Sequence, residues 1–151
     1  MSNVRTSAGT KFSIASGVPT NYNEAGFALL SFSEVGEVTN IPAYGGQFDL
    51  VTHSPLGSRA VVKRKGSINY GSVTLEIGRD VQDAGQEMLR TAFEEDATYS
   101  FFVELQDGTK QYFTGQVFSY TTNPGTSNQI TSIGCQIEID TEILEVEPTG
   151  S

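Results

Sequence analysis

Tryptophan is absent from this chain of 151 residues, cysteine and histidine occur once each, and nine cations stand against eighteen acids. Each shortage excludes something. One cysteine, Cys135, rules out an internal disulfide framework, and one histidine, His53, leaves no ligand set for zinc. A formal net charge of −9 opposes direct grip on nucleic-acid phosphates, which needs clustered cations. No apolar run approaches the ~20 residues of a membrane span, and the first ten residues, Met1 to Thr10, lack the apolar stretch of a signal peptide. GxSxG, HExxH, Walker and CxxC patterns are all missing. Cys135 lies in Ile133-Gly-Cys-Gln-Ile137, mid-strand among apolar residues, far in sequence from His53, so it reads as an inert buried thiol. Glu138 and Asp140 would sit about 7 Å apart on one strand face. Without an aromatic platform beside them, that spacing is what any polar strand face produces. The expectation is a non-enzyme with no metal and no cofactor.

What is present is aromatic bulk: nine Phe and six Tyr can fill a core in a chain of single-domain length. Residues 1–9 read as a flexible arm, 10–147 as one domain, and 148–151 as a frayed tail. Thr10–Ala15 reads as a first strand, followed by turn chemistry at Gly17, Pro19, Asn21, Asn23 and Gly26. Phe27-Ala-Leu-Leu-Ser-Phe32 reads as a short buried strand and Glu34–Ile41 as the next. Pro42–Gly66 reads as a long hairpin loop with strand-like pieces at Gln47–Thr52 and Arg59–Lys65. A loop of that length in a compact domain is more often functional than ornamental. It holds four of the nine cations: Arg59, Lys63, Arg64 and Lys65.

Val73, Leu75 and Ile77 alternate with Thr74 and Glu76, which is a half-buried strand. The period then changes. Val81, Ala84, Met88, Leu89, Ala92 and Phe93 follow helical spacing, predicting a helix over about 81–95 with Asp80 as its cap. Tyr99–Gln106 and Lys110–Thr121 form the clearest hairpin. A three-residue loop, Gln106-Asp107-Gly108 with Gly108 left-handed, pairs Phe101 with Phe113, Phe102 with Tyr112 and Glu104 with Lys110. Asn123-Pro124-Gly125 is a turn, and Gln129–Val146 is one long strand or two separated by a bulge. The sum is a mainly β domain, sandwich-like or barrel-like, with one flanking helix.

The charge pattern is the most informative feature. Within the strongest strands, 73–78, 99–106, 111–119 and 135–143, the charged residues are Glu76, Glu104, Glu138, Asp140 and Glu142. All are acidic and all occupy even positions, opposite the apolar ones. Like charges set side by side cost energy, so a face of one sign implies a cationic partner or a surface that must repel an anion.

In order and motif the chain resembles the tail tube (major tail) proteins of long-tailed bacteriophages, the siphophages. The resemblance is carried by a helix ending in acidic Glu94-Glu95-Asp96, a strand from Tyr99, the turn Asp107-Gly108-Thr109, and the strand Phe113-Thr-Gly115-Gln-Val117. It spans roughly residues 10–146. It implies a structural virion protein of the phage tail that assembles with itself, in the cytoplasm of a bacterial host, into hexameric rings stacked as a hollow tube. DNA would pass through without specific binding. Glu76, Glu104, Glu138, Asp140 and Glu142 would then line an acidic lumen, and Arg59, Lys63, Arg64 and Lys65 would join subunits or rings. Implied partners are further copies of the chain and other tail proteins (tape measure, terminator and distal tail), with no membrane. The alternatives are another β-sandwich component of a tail, baseplate, capsid decoration or bacterial injection system, or a carbohydrate-binding adhesive module.

Overall fold

The computed structural model describes residues 8–57 and 59–147. The arm expected over 1–9, apart from residues 8 and 9, and the tail expected over 148–151 lie outside them. In chain order the described elements are β1 (Lys11–Ser16), α1 (Glu24–Ala28), β2 (Ser33–Glu34), β3 (Val38–Asn40), β4 (Gln47–His53), β5 (Val62–Asn69), β6 (Ser72–Gly78), α2 (Ala84–Glu94), β7 (Tyr99–Glu104), β8 (Lys110–Asn123), β9 (Ser132–Ile139) and β10 (Leu144–Val146).

The main sheet runs β2-β1-β7-β8-β9-β6-β3, with β10 added to β8; β4 and β5 form a sheet of their own. Its pairings are antiparallel. The two edge strands, β2 and β3, are joined by Val35, Gly36 and Glu37 alone. Such a link reaches about 14 Å at most, whereas seven flat strands would span about 28 Å. The sheet must therefore curl, and it forms a half-barrel. Alternation fills its inside with Phe12, Ile14, Val73, Leu75, Ile77, Phe101, Phe113, Ile133 and Ile137, all buried. Helix α2 packs on β8, β1 and β2 and seats Leu89 and Ala92 against that core. Burying a side chain such as Leu89 contributes about 1.5–3 kcal/mol.

The β7–β8 hairpin has the expected register: Phe101 faces Phe113, Phe102 faces Tyr112 and Glu104 faces Lys110. Gly108 adopts φ 96°, and the Leu105 N–H closes the loop on the Thr109 carbonyl at 2.8 Å. Gly115 of the Phe-x-Gly-x-Val motif has a steric cause. A Cβ there would lie 2.2 Å from the Glu138 carbonyl oxygen, inside the neighbouring backbone.

Four expectations need correction. Phe27–Phe32 is no strand: Asn23 accepts the Gly26 N–H at 2.7 Å and caps the short helix α1. Phe27 then stacks on Tyr112 at 4.8 Å and Phe32 meets Phe102 edge-on at 4.7 Å, covering the second face of the hairpin, while Leu29 points to solvent. Glu34–Ile41 is two strands on opposite sheet edges, because the chain leaves one edge at Gly36 and Glu37, the latter at φ 61°. Helix α2 starts at Ala84 and not at 81, capped by Asp83 and not Asp80. The Asp83 carboxylate accepts from Gln86 N–H at 2.9 Å and Gly36 N–H at 3.0 Å, whereas the Asp80 carboxylate accepts only from Gln82 N–H, closing a turn. Finally, the last strand is interrupted at 140–143. Thr141 Oγ1 accepts the Thr114 N–H at 3.1 Å, taking the place of a backbone carbonyl, and β10 resumes the pairing. Asp140 and Glu142 therefore sit in a connection and not on a strand face.

Candidate assembly surfaces

The β4–β5 hairpin stands away from the body as an arm. Its strands pair with each other and make little contact with the half-barrel, and all seven residues of β4 are exposed. At its base, Tyr44 packs on Phe113, and the Tyr44 hydroxyl donates to Gln111 Oε1. The register pairs Leu50 with Lys65, Val51 with Arg64, Thr52 with Lys63 and His53 with Val62. Alternation then puts Phe48, Leu50, Ile68, Lys63 and Lys65 on one face, and Val51, Val62, His53 and Arg64 on the other. Lys65 Nζ lies 4.8 Å from the centre of the Phe48 ring. Leu56, at the tip, is fully exposed, and Leu50, Val51 and Val61 are more than half exposed. Residues 47–69 carry four cations and one acid, a surplus of three, so the remainder of the chain carries −12.

The structure brings the predicted acids together only in part. Glu76 and Glu138 lie on the free polar face of β6 and β9, with Ser72, Thr74 and Gln136 among their neighbours. Gln136 Nε2 donates to Glu138 Oε2 at 2.6 Å. Asp140 and Glu142 border this face at the end of β9. There Tyr22 Oη bonds Thr141 Oγ1 at 2.9 Å and donates to the Glu142 carbonyl. Glu104 belongs to a different neighbourhood: its ladder partners are Lys11 on β1 and Lys110 on β8, so cations flank its charge. At the acidic end of α2, Glu94 pairs with Arg90 at 3.7 Å, and Tyr99 Oη donates to Glu95 Oε2 at 3.1 Å.

Sequence reasoning missed a third feature. At the far end of β6, an open groove of about 540 Å³ runs between Glu37, Glu76, Arg79, Asp80 and Ile130. Ile130 is 81% exposed. Its only signal in the sequence was an isolated apolar residue between polar neighbours.

Cys135 is wholly buried, and burial pushes its thiol up to about 12. His53 is on the arm, paired opposite Val62, and the thiol is in the core. Among the described residues, no three His, Cys, Asp or Glu are grouped to hold a metal ion, and no helix is long and apolar enough to cross a membrane.

No protein family matches the sequence, and no curated protein does. The fold, in contrast, matches solved structures across almost its full length. A chain of the anti-feeding prophage (AFP) baseplate, solved with six-fold symmetry imposed, superposes with a TM-score of 0.74 at 11% identity, covering 99% of this chain and 100% of that one. A chain of the SPP1 tail tube superposes with a TM-score of 0.64 at 12% identity, covering 93% of this chain and 78% of that one. The chain has the tail-tube fold.

Proposed function

We propose that this chain is the building block of a phage-type tail tube. Copies associate into six-membered rings, the rings stack, and DNA passes through the bore without specific binding. The observation that carries this reading is the likeness, over 93% or more of this chain, to two chains that are parts of assembled tail machinery, one of them six-fold symmetrised. The molecule's own surfaces support it. An isolated two-stranded hairpin is at best marginally stable in water, and this arm exposes Phe48, Leu50, Val51, Leu56 and Val61. Such an arm needs another surface to bury it, and Arg59, Lys63, Arg64 and Lys65 suit that surface to the acidic remainder of a second copy.

In this reading Glu76 and Glu138 face the bore, with Asp140 and Glu142 at its margin. Glu104, flanked by two lysines, adds least to the field there. Six chains carry −54 formal charges. A wall of carboxylates gives DNA phosphates no cation to bind, so the polymer slides without breaking ion pairs. Tape measure, terminator and distal tail proteins would meet the ends of the tube, which assembles in the bacterial cytoplasm and resides in the virion tail. A second reading, a tube-like ring confined to a baseplate, is favoured by the higher superposition score of the baseplate chain.

Negative-stain electron microscopy of the purified protein across concentration tests the proposal. Long hollow tubes are expected; isolated rings favour the baseplate reading, and particles that stay single overturn both. For the bore, Glu76→Cys and Glu138→Cys variants are labelled in intact tubes. A small maleimide should reach both thiols and a bulky polymer-linked one neither. Equal labelling by the bulky reagent puts these positions on the outer wall.

A further inference from the structure

The arm and the acidic groove lie at opposite ends of the same strand. Strand β6 begins at Ser72, opposite Glu138, just after the arm rejoins the sheet; it ends at Gly78, opposite Ser132, beside the groove. Seven residues separate the two sites by roughly 20 Å. None of the described arm residues lines the groove of its own chain. Two complementary surfaces at opposite ends of one strand make a head-to-tail contact, which links copies into a closed ring or an open stack instead of closing a pair.

We infer that the arm tip of one copy, around Leu56 and Arg59, docks in the groove between Glu37, Asp80 and Ile130 of the next copy along the stack. This rests on the assembly reading above and names the receptor for its arm. Three observations match the two sides. The groove carries Glu37 and Asp80 against one cation, Arg79, with Glu76 shared between it and the proposed bore face, and so is negative; the arm carries the positive surplus. The tip presents a fully exposed Leu56, and the groove presents Ile130, an apolar side chain that the fold itself does not cover. The groove, at about 540 Å³, has room for a leucine and an arginine side chain. Buried together, Leu56 and Ile130 supply apolar contact, and Arg59 finds Glu37 or Asp80. The arm gains the cover that its own sheet does not provide.

The native Cys135 is buried and unreactive, so introduced thiols report cleanly. The Leu56→Cys/Ile130→Cys double variant, assembled and treated with a short bis-maleimide, should give a denaturation-resistant ladder of oligomers. Leu56→Cys alone should stop at monomer and occasional dimer. In a second arm of the experiment, Arg59→Glu and Glu37→Lys each should reduce tube yield, and the two combined should restore it. Tubes that form normally without a ladder, or a charge swap that deepens the loss, overturn this contact while leaving tube assembly standing. Wild-type protein that never assembles removes the assembly reading itself.

Discussion

Gln86 is 2% exposed, and both ends of its amide serve the backbone. Its Nε2 donates to the Gly36 and Gly78 carbonyls, each at 2.9 Å, and its Oε1 accepts the Asp80 N–H at 2.9 Å. It thus ties helix α2 to the link between the two sheet edges and to the end of β6. Gln86→Leu keeps the volume and strands these groups, so unfolding free energy should fall by about 2–3 kcal/mol in denaturant titration. A polar residue in the first turn of a helix ordinarily reads as solvated, which is why this one was not legible in the sequence. Tyr44 makes a pH prediction. Burial first, and Glu145 second, raise its phenol from an ordinary value near 10 to about 12. The unfolded chain therefore releases this proton earlier than the folded one does. The stabilisation is complete below pH 10 and is lost as pH rises toward 12. Tyr44→Phe should flatten the decline in stability over that window, measured by denaturant titration at stepped pH; an unchanged slope would assign the decline to other groups.

At the scale of elements, what was legible was what local chemistry alone decides. The β7–β8 register followed from the three-residue loop Gln106-Asp107-Gly108 and from the need to keep apolar residues on one face; the structure reproduces each predicted pair. Strand β6 followed from its alternation. Helix α1 was hidden because Phe27–Phe32 is too short and too uniformly apolar for its period to be read. Its one signal was Asn23, three residues before the N–H that it caps. The break at 140–143 depends on Thr141 reaching Thr114, a contact across 27 residues that no local pattern encodes. Gly115 was legible as part of a motif, but its reason appears only in three dimensions. Gly115→Ala sets a methyl against the Glu138 carbonyl, and since both are backbone-anchored the cost should be about 1–3 kcal/mol, read as a lower denaturation midpoint. The arm invites a dynamic test. Amides of β4 and β5 should exchange rapidly in monomeric protein and gain protection on assembly, while those of β8 and β9 stay protected throughout. Arm amides already slow in the monomer would show that the hairpin needs no partner.

For the whole molecule the decisive quantity is how charge is divided. The arm, residues 47–69, holds +3 and the rest −12, so the proposed assembly is attractive through the arm and repulsive elsewhere. Arg64→Glu with Lys65→Glu moves the arm from +3 to −1 and the chain from −9 to −13. Both side chains are exposed and Lys65 gives up only its contact with the Phe48 ring, so folding stability should stay within about 1 kcal/mol of the parent. Assembly loses its attraction while its repulsion grows. The concentration needed for tubes, measured by sedimentation, should rise at least tenfold at low salt, because two reversed charges, a change of four units, alter every arm contact in the proposed stack. Salt then separates the two terms. The screening length falls from about 10 Å at 0.1 M to about 3 Å at 1 M. High salt should weaken assembly of the parent, whose arm works by attraction, and should partly rescue the variant, whose defect is repulsion. Parallel responses of the two proteins to salt would mean that the arm's cations are solvated ornaments of a contact made by its apolar residues alone.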